Sequence, residues 1–108
     1  MIKLVMSGVE RIKWPMSDNP YADFRVTEKK FLREFAATVE ADELVWHRDK
    51  KNRTVTVLEG TGWKFQYDNK LPKEIKPGDV IKIKACEFHR ILKGETTLKL
   101  EIIEDENS

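Results

Sequence analysis

Cysteine is almost absent from this sequence, and so is any long apolar stretch. The one cysteine, Cys86, among 108 residues excludes an internal disulfide. Cys86 and His89 have a spacing found in zinc sites, but three positions along a strand place them on opposite faces, which favours a packed thiol. No apolar run reaches the length of a signal peptide or a membrane span. We therefore expect a cytoplasmic protein with no membrane partner.

An excess of charge of either sign is also missing. Lysine and arginine number 20 against 19 aspartate and glutamate residues, a net charge of +1, so the chain has no long-range field that would attract a polyanion. The densest basic run, KEIKPGDVIKIK at residues 73–84, intersperses lysines with Ile75, Val80, Ile81 and Ile83, as a solvated strand does. We expect no nucleic-acid partner.

Histidine is scarce, and the first of the two histidines stands in a suggestive tripeptide. His47 is followed by Arg48 and Asp49, as in the catalytic loop of protein kinases. Kinases have an asparagine five positions after this aspartate, whereas Asn52 comes three positions after Asp49, and the other kinase motifs are absent. A chain of 108 residues also fits one domain, without room for a regulatory domain beside a catalytic one. The kinase interpretation is therefore excluded.

The first part of the domain, residues 1–40, is predicted to contain a strand, an irregular loop and a helix. Residues 2–6, IKLVM, suit a short strand, and residues 14–24 have the proline, asparagine and aspartate content of an irregular connection. Thr27 is a suitable helix cap. The helical spacing of the apolar residues that follow predicts one N-terminal helix with a buried face of Phe31, Leu32, Phe35 and Val39.

From residue 41 to residue 104 the sequence consists of short alternating runs. Apolar side chains alternate with polar ones in RTVTVLEG, in GWKFQYD and in TTLKLEII. Turn signals separate the runs at Glu59–Gly62, Asp68–Lys70, Lys76–Asp79 and Lys93–Gly94. About six strands at this spacing predict an all-β domain, an antiparallel jelly-roll barrel.

Two histidines and a carboxylate can meet inside such a barrel. Residues two apart in a strand share a face, so His47 and Asp49 point the same way, and an uninterrupted strand carries this face on through Arg53. On the run ACEFHRIL, His89 shares its face with Glu87. Imidazole and carboxylate ligands suit Fe(II), Mn(II), Ni(II) or Zn(II). The alternative is that two half-buried strand histidines meet by chance.

The stretch that begins at His47 resembles the first sequence motif of the cupin superfamily. That motif has His-x-His followed by Glu and Gly, and the same separations here give His47, Asp49, Arg53 and Gly60. Asp49 replaces the second histidine, and Arg53 replaces the glutamate. The resemblance implies a small cupin barrel whose motif residues hold a divalent metal. Cupins are often dimeric, so we expect a homodimer.

The second cupin motif is similar to residues 78–89. Gly78 and His89 match the motif, whereas Lys84 and Cys86 replace its proline and its second glycine. These two replacements concern a turn, which a fold can absorb. Together the two motifs cover nearly all of the predicted β region and leave residues 1–40 unaccounted for.

Whether the site implied by this resemblance binds a metal depends on Arg53. Aspartate can ligate a metal but arginine cannot, so the implied metal ligands are His47, Asp49 and His89. Arg53 on the inner face would pair with Asp49, which lowers metal affinity, or with the carboxylate or phosphate of a small anionic ligand. The candidate ligand-binding residues are Arg53, Gln66 and Glu87, and no residue receives a catalytic role.

Two functions fit these expectations. The favoured one is a small cupin that binds a ligand or serves as a dimeric structural module, with a metal site that has degenerated into an ion pair between Asp49 and Arg53. The alternative is a metal-dependent enzyme, similar to a dioxygenase or an isomerase, with Fe, Mn, Ni or Zn bound by His47, Asp49 and His89. The fold does not choose between them, because one barrel hosts many functions.

Overall fold

A computed structural model describes residues 20–105, which form eight β-strands. The strand predicted at residues 2–6 and most of the loop predicted at residues 14–24 lie outside the described residues. No helix in the described part is long and apolar enough to cross a membrane. The elements are β1 (Ala22–Arg25), β2 (Lys30–Phe35), a 3₁₀ turn (Ala41–Glu43), β3 (Asn52–Glu59), β4 (Lys64–Tyr67), β5 (Lys73–Glu74), β6 (Val80–Ile83), β7 (His89–Leu92) and β8 (Leu98–Asp105).

The strands pair into two antiparallel sheets. One sheet has five strands in the order β1-β2-β8-β3-β6, and the other has three in the order β5-β4-β7. The predicted all-β, antiparallel class is therefore confirmed. Within residues 20–105 the strand pairing keeps the two sheets separate and does not join them into one closed barrel.

The predicted N-terminal helix is wrong, because Lys30–Phe35 is strand β2. Burial alternates along this strand: Phe31, Arg33 and Phe35 are buried, and the residues between them are half-buried on the other face. Phe31 and Phe35 are four positions apart, a spacing that puts two side chains on one face of a helix and equally on one face of a strand. Strands β1 and β8 pair with the two edges of β2, and this tertiary pairing overrides local helical spacing.

Thr27, the expected helix cap, stabilises a turn instead. Its Oγ1 accepts hydrogen bonds from the backbone N–H groups of Lys29 and Lys30, at 3.2 and 3.0 Å. The turn joins β1 to β2 as a hairpin, in which the Val26 N–H donates to the Lys30 carbonyl at 2.9 Å. The capping signal is genuine, but a threonine oxygen satisfies the N–H groups of a turn as well as those of a helix.

Side chains of the two facing sheets form one core. Trp63 is fully buried, and its Nε1–H donates to the Thr96 carbonyl at 2.8 Å. Gly94 lies against this indole, and a Cβ there would overlap Trp63 Cδ1, so the predicted turn at Lys93–Gly94 requires glycine. The other buried apolar side chains are Phe31, Phe35, Val39, Leu44, Val55, Val57, Phe65, Ile75, Ile83, Leu98, Leu100 and Ile102.

The chain between His47 and Arg53 does not form the continuous strand that alternation predicts. His47 makes an isolated bridge to His89 on β7, residues 50–51 form a bend, and β3 begins at Asn52. The bridge consists of two backbone hydrogen bonds, from the His47 N–H to the His89 carbonyl at 3.0 Å and from the His89 N–H to the His47 carbonyl at 2.9 Å. Backbone pairing with β7 therefore brings the two histidines together.

Cys86 lies in the turn between β6 and β7 and has a left-handed backbone, with a φ of 65°. The Glu87 N–H closes this turn on the Lys84 carbonyl at 3.2 Å, and the Cys86 N–H donates to the Asp49 carbonyl at 2.6 Å. The thiol is exposed, so the expected packed thiol is wrong, since a turn has no buried face. Residues with a Cβ rarely adopt this conformation, which costs glycine nothing, and the second cupin motif has glycine here.

Replacing Cys86 with glycine should stabilise the protein. Relief of the left-handed strain contributes about 1–2 kcal/mol, and the greater freedom of glycine in the unfolded chain offsets about 0.5–1 kcal/mol of it. We expect a net increase of about 0.5–1 kcal/mol in the free energy of unfolding, measured with urea under reducing conditions. Cys86→Ala removes the thiol but keeps Cβ, and this control should gain nothing. Equal gains in both variants would assign the effect to the thiol.

Candidate metal centre

His47, Asp49 and His89 come together, as the resemblance implies. Their candidate ligand atoms all lie within 4.8 Å of one another, and the centroids of the two imidazole rings are 4.3 Å apart. His89 is buried, with 3% of its surface exposed, whereas Asp49 is half-buried and His47 is exposed. The group is therefore closed on the side of His89 and open on the side of His47.

Backbone carbonyl groups orient both imidazole rings. His47 Nδ1 lies 3.2 Å from the Val45 carbonyl oxygen, and His89 Nδ1 lies 2.9 Å from the Glu87 carbonyl oxygen. Phe65 stacks on the His89 ring, with 5.7 Å between centroids. A carbonyl oxygen can only accept, so each Nδ1 carries the proton and donates it. Each Nε2 then keeps a lone pair, which is how proteins commonly prepare a histidine for a metal.

The ionisation of these groups also suits a metal. Partial burial of the ring lowers the pKa of His47, and the neighbouring His89 adds to this shift, whereas the hydrogen bond to the Val45 carbonyl opposes it. Burial by itself would raise the pKa of Asp49, but the attraction of His89 and Arg53 outweighs it, so the pKa of Asp49 lies below its usual value. A neutral imidazole and an ionised carboxylate are the forms that bind metals.

One oxygen of Asp49 has no hydrogen bond. Asp49 Oδ2 is buried and makes no hydrogen bond within residues 20–105, although His89 Nε2 lies 3.3 Å away. With the ring proton on His89 Nδ1, Nε2 and Oδ2 present lone pairs to each other, whereas a doubly protonated His89 would form an ion pair with Asp49. A buried carboxylate oxygen without a partner costs about 1–3 kcal/mol or more, and a cation between these atoms would remove that cost. The donor set therefore fits a divalent metal.

Arg53 contacts the other oxygen of Asp49. Arg53 Nη1 lies 3.2 Å from Asp49 Oδ1, whereas its Nε and Nη2 both donate to Glu104 Oε2, at 3.1 and 2.8 Å. Arg53 on β3 and Glu104 on β8 stand directly opposite each other in the sheet. The expected ion pair between Arg53 and Asp49 is present, but it leaves Oδ2 available. Glu104 balances the charge of Arg53, which would otherwise oppose a divalent cation.

Sequence reasoning missed Glu104, although one signal for it existed. The inner face of β8 carries Leu98, Leu100 and Ile102, and the next position of the same parity is Glu104. A charged residue that continues an apolar face is a sign of a buried partner. The identity of that partner could not be read from the sequence, because Arg53 and Glu104 are 51 positions apart and only the strand register joins them.

The other two ligand-binding candidates lie away from this group. Gln66 Oε1 accepts a hydrogen bond from Arg90 Nε at 2.9 Å, and Gln66 Nε2 donates to the Lys70 carbonyl at 2.9 Å, so both ends of its amide are occupied. Burial raises the pKa of Tyr67, and the charge of Glu87 adds to this shift. Glu87 contacts the group through its backbone carbonyl, which lies 2.9 Å from His89 Nδ1. The structure thus brings together the side chains of His47, Asp49, Arg53 and His89.

A cavity of about 270 Å³ lies beside the group. His47, Asp49 and Arg53 stand in its wall, and so does Arg33, a second arginine that sequence reasoning placed on no site. The sequence did not indicate a role for Arg33, because it predicts a helix where β2 lies. In a helix this residue would be on the opposite face from Phe31 and Phe35, whereas in a strand it shares their face.

Glu104→Gln should destabilise the protein. The substitution keeps the shape of the side chain but removes the main charge partner of Arg53, at a pair whose side chains are 14% and 19% exposed. Hydrogen bonds to charged groups contribute about 1.5–3 kcal/mol, so we expect a loss of that size in urea unfolding. Glu101→Gln on the same strand is the matched control: its partner Lys30 lies 3.6 Å away and is 38% exposed, and such pairs contribute about 0–1 kcal/mol. Equal small losses would mean that other contacts hold Arg53.

Comparison with known proteins gives no match at the level of sequence. No protein-family model matches the chain, and no curated protein matches it. Solved structures do match. A cupin superfamily protein from Desulfitobacterium hafniense DCB-2 has a TM-score of 0.56 at 20% identity, over 80% of this chain and 76% of that one.

Two further solved structures extend the comparison. A putative mannose-6-phosphate isomerase from Ralstonia eutropha JMP134 has a TM-score of 0.55 at 14% identity, over 78% of this chain and 81% of that one. Co(II) HppE in complex with substrate has a TM-score of 0.63 at 16% identity, over 88% of this chain but 57% of that one. In Fe(II) HppE this chain covers 41% of the other chain, so it spans about half the length of HppE. These likenesses show that this chain has a cupin-like fold.

Proposed function

We propose that this protein binds one divalent transition metal through His47, Asp49 and His89 and uses it to hold a small ligand. The observation that carries the proposal is the buried, unpartnered Asp49 Oδ2 beside His89 Nε2. Both histidines keep Nε2 free through their backbone hydrogen bonds. Two histidines and one carboxylate are the donor set of non-haem Fe(II) sites, so Fe(II) is the preferred ion, with Mn(II), Ni(II) and Zn(II) as alternatives.

Bound to these residues, the ion would supply a Lewis acid with open coordination positions and, if it is iron, a partner for dioxygen. The chain itself contributes orientation. Arg53, held by Glu104, fixes Asp49 Oδ1, so that Oδ2 keeps one direction. Phe65 covers the His89 ring and excludes water from that side. His47 is exposed, and the adjoining cavity gives a ligand access from its side.

The fold neighbours support this proposal without choosing a reaction. HppE has been solved with Fe(II) and with Co(II), and it shares the fold, as does a putative mannose-6-phosphate isomerase. One fold hosts many reactions. Dioxygenase-like and isomerase-like activities therefore both stay proposals for this chain.

A dimeric structural module is the second candidate, and an exposed sheet edge favours it. Strand β1 is an outer strand of the five-stranded sheet, and Phe24 and Val26 at this edge are 54% and 53% exposed. Within residues 20–105 no further strand pairs with this edge, and an edge with apolar side chains favours association with a second copy of the chain. This candidate requires no metal, so metal analysis separates the two.

Metal-free protein should take up one Co(II) per chain, seen in its visible absorption, and Fe(II) should compete for the same site. His47→Ala, His89→Ala and Asp49→Asn should each weaken binding by more than the roughly 10–100-fold that loss of an outer partner of a metal ligand costs. The reason is that each removes a ligand atom from a group that has three.

The matched control is Asp68→Asn, because Asp68 is an exposed carboxylate in the turn after β4. Its metal affinity should equal that of the wild type. Folded wild-type protein that takes up no metal, or ligand variants that bind as well as wild type, would rule out the metal function and leave the structural module.

A further inference from the structure

Arg33 stands in the wall of the cavity beside the candidate metal centre. It lies on the inner face of β2 and is 9% exposed. The cavity wall also includes His47 and Asp49. A molecule in this cavity can therefore reach Arg33 and these two candidate metal ligands at once.

Two contacts hold the Arg33 guanidinium in one orientation. Its Nε and Nη2 donate to the two carboxylate oxygens of Asp23, at 2.8 and 2.9 Å. Its plane covers the ring of Tyr21, with 3.6 Å from Cζ to the ring centroid. Within residues 20–105, Arg33 Nη1 donates no hydrogen bond. Both N–H hydrogens of Nη1, on a fixed and largely buried cation, therefore remain for a ligand.

Arg53, the sequence-based candidate for anion binding, is already occupied. Its Nε and Nη2 bind Glu104, and its Nη1 faces Asp49. All three nitrogens thus contact protein carboxylates. Of the two arginines in the wall, Arg33 is the one with an amino group to offer.

The cavity wall holds two arginines, Arg33 and Arg53, and two carboxylates, Asp49 and Glu43. Each arginine is also paired with a carboxylate outside the wall, Arg33 with Asp23 and Arg53 with Glu104. A divalent ion therefore brings the site to neutrality and removes the repulsion that an anion would otherwise meet. The rest of the wall is apolar and consists mainly of Phe35, Leu44, Val45 and Ile91.

We propose that Arg33 Nη1 binds the carboxylate of a small, partly apolar carboxylic acid, and that the same molecule contacts the metal from within the cavity. This inference rests on the proposed metal function. A volume of about 270 Å³ corresponds to about nine water molecules at roughly 30 Å³ each, so the ligand is short. A carboxylate suits the single free amino group of Arg33, because a larger oxyanion has more oxygens to satisfy than this wall has free donors.

Butanoate is the test ligand, and its neutral isostere butanamide is the ligand control. Each is titrated into Co(II)-loaded and into metal-free protein, with calorimetry for affinity and the Co(II) absorption spectrum for contact with the metal. Butanoate should bind the loaded protein at least about tenfold more tightly than butanamide, because hydrogen bonds to a charged group contribute about 1.5–3 kcal/mol. It should also change the Co(II) spectrum.

Arg33→Gln should lower the affinity for butanoate at least about tenfold and leave Co(II) binding unchanged. Arg25→Gln is the matched control, since Arg25 also lies over the Phe31 ring, at 4.9 Å, but is not among the residues of the cavity wall. It should bind butanoate as the wild type does.

The outcomes separate this inference from the metal function. Co(II) uptake with butanoate affinity that is the same in wild type and in Arg33→Gln would overturn the inference and keep the metal. An Arg33-dependent affinity in protein that takes up no metal would overturn the proposed function and support the role of Arg33. Tighter binding of inorganic phosphate than of butanoate would overturn the assignment of a carboxylate at Arg33.

Discussion

The division of the Asp49 carboxylate between two partners is the interaction on which the candidate site depends. One oxygen faces Arg53 and the other faces His89. If Arg53 took both oxygens, as a bidentate pair, the carboxylate would be neutralised and the two histidines would have no anionic ligand beside them. Arg53 does not do so because its other two nitrogens are committed to Glu104. Whether Asp49 keeps one oxygen free therefore depends on Glu104 in β8. This residue lies outside both stretches that resemble the cupin motifs.

The replacement of the motif glutamate by Arg53 is best understood together with Glu104. Alone, a buried arginine beside two histidines and one aspartate would repel a divalent cation, and it would cost free energy to bury. Directly opposite it in the sheet, Glu104 supplies the carboxylate that the motif position lacks. The carboxylate of Glu104, on the neighbouring strand β8, thus keeps a negative charge close to the histidines. It does not contact them but pairs with Arg53. What looks from the motif alone like a degenerate site keeps its three candidate ligands together, with Arg53 and Glu104 beside them.

The sequence predicted the parts of this structure that depend on local alternation, and it failed where strand pairing decides. The runs that became β3, β4 and β8 have an unambiguous period of two. Phe31 and Phe35 fit both a helix and a strand, so β2 was mistaken for a helix, and Arg33 was lost with it. His47 and His89 were correctly brought together, but through a backbone bridge and a bend at residues 50–51 that no alternation describes.

Arg33 and Arg53 lie on the same inner surface, but the strand register gives them different partners. Each is held by a carboxylate from an adjacent strand, Arg33 by Asp23 on β1 and Arg53 by Glu104 on β8. Asp23 uses both of its oxygens on one edge of the Arg33 guanidinium, which leaves Nη1 without a partner in the described part of the chain. Glu104 uses one oxygen on Arg53, and Asp49 lies at the remaining nitrogen. The difference is a single amino group: in Arg53 it contacts the candidate metal ligand Asp49, whereas in Arg33, which lies in the cavity wall, it has no partner within residues 20–105.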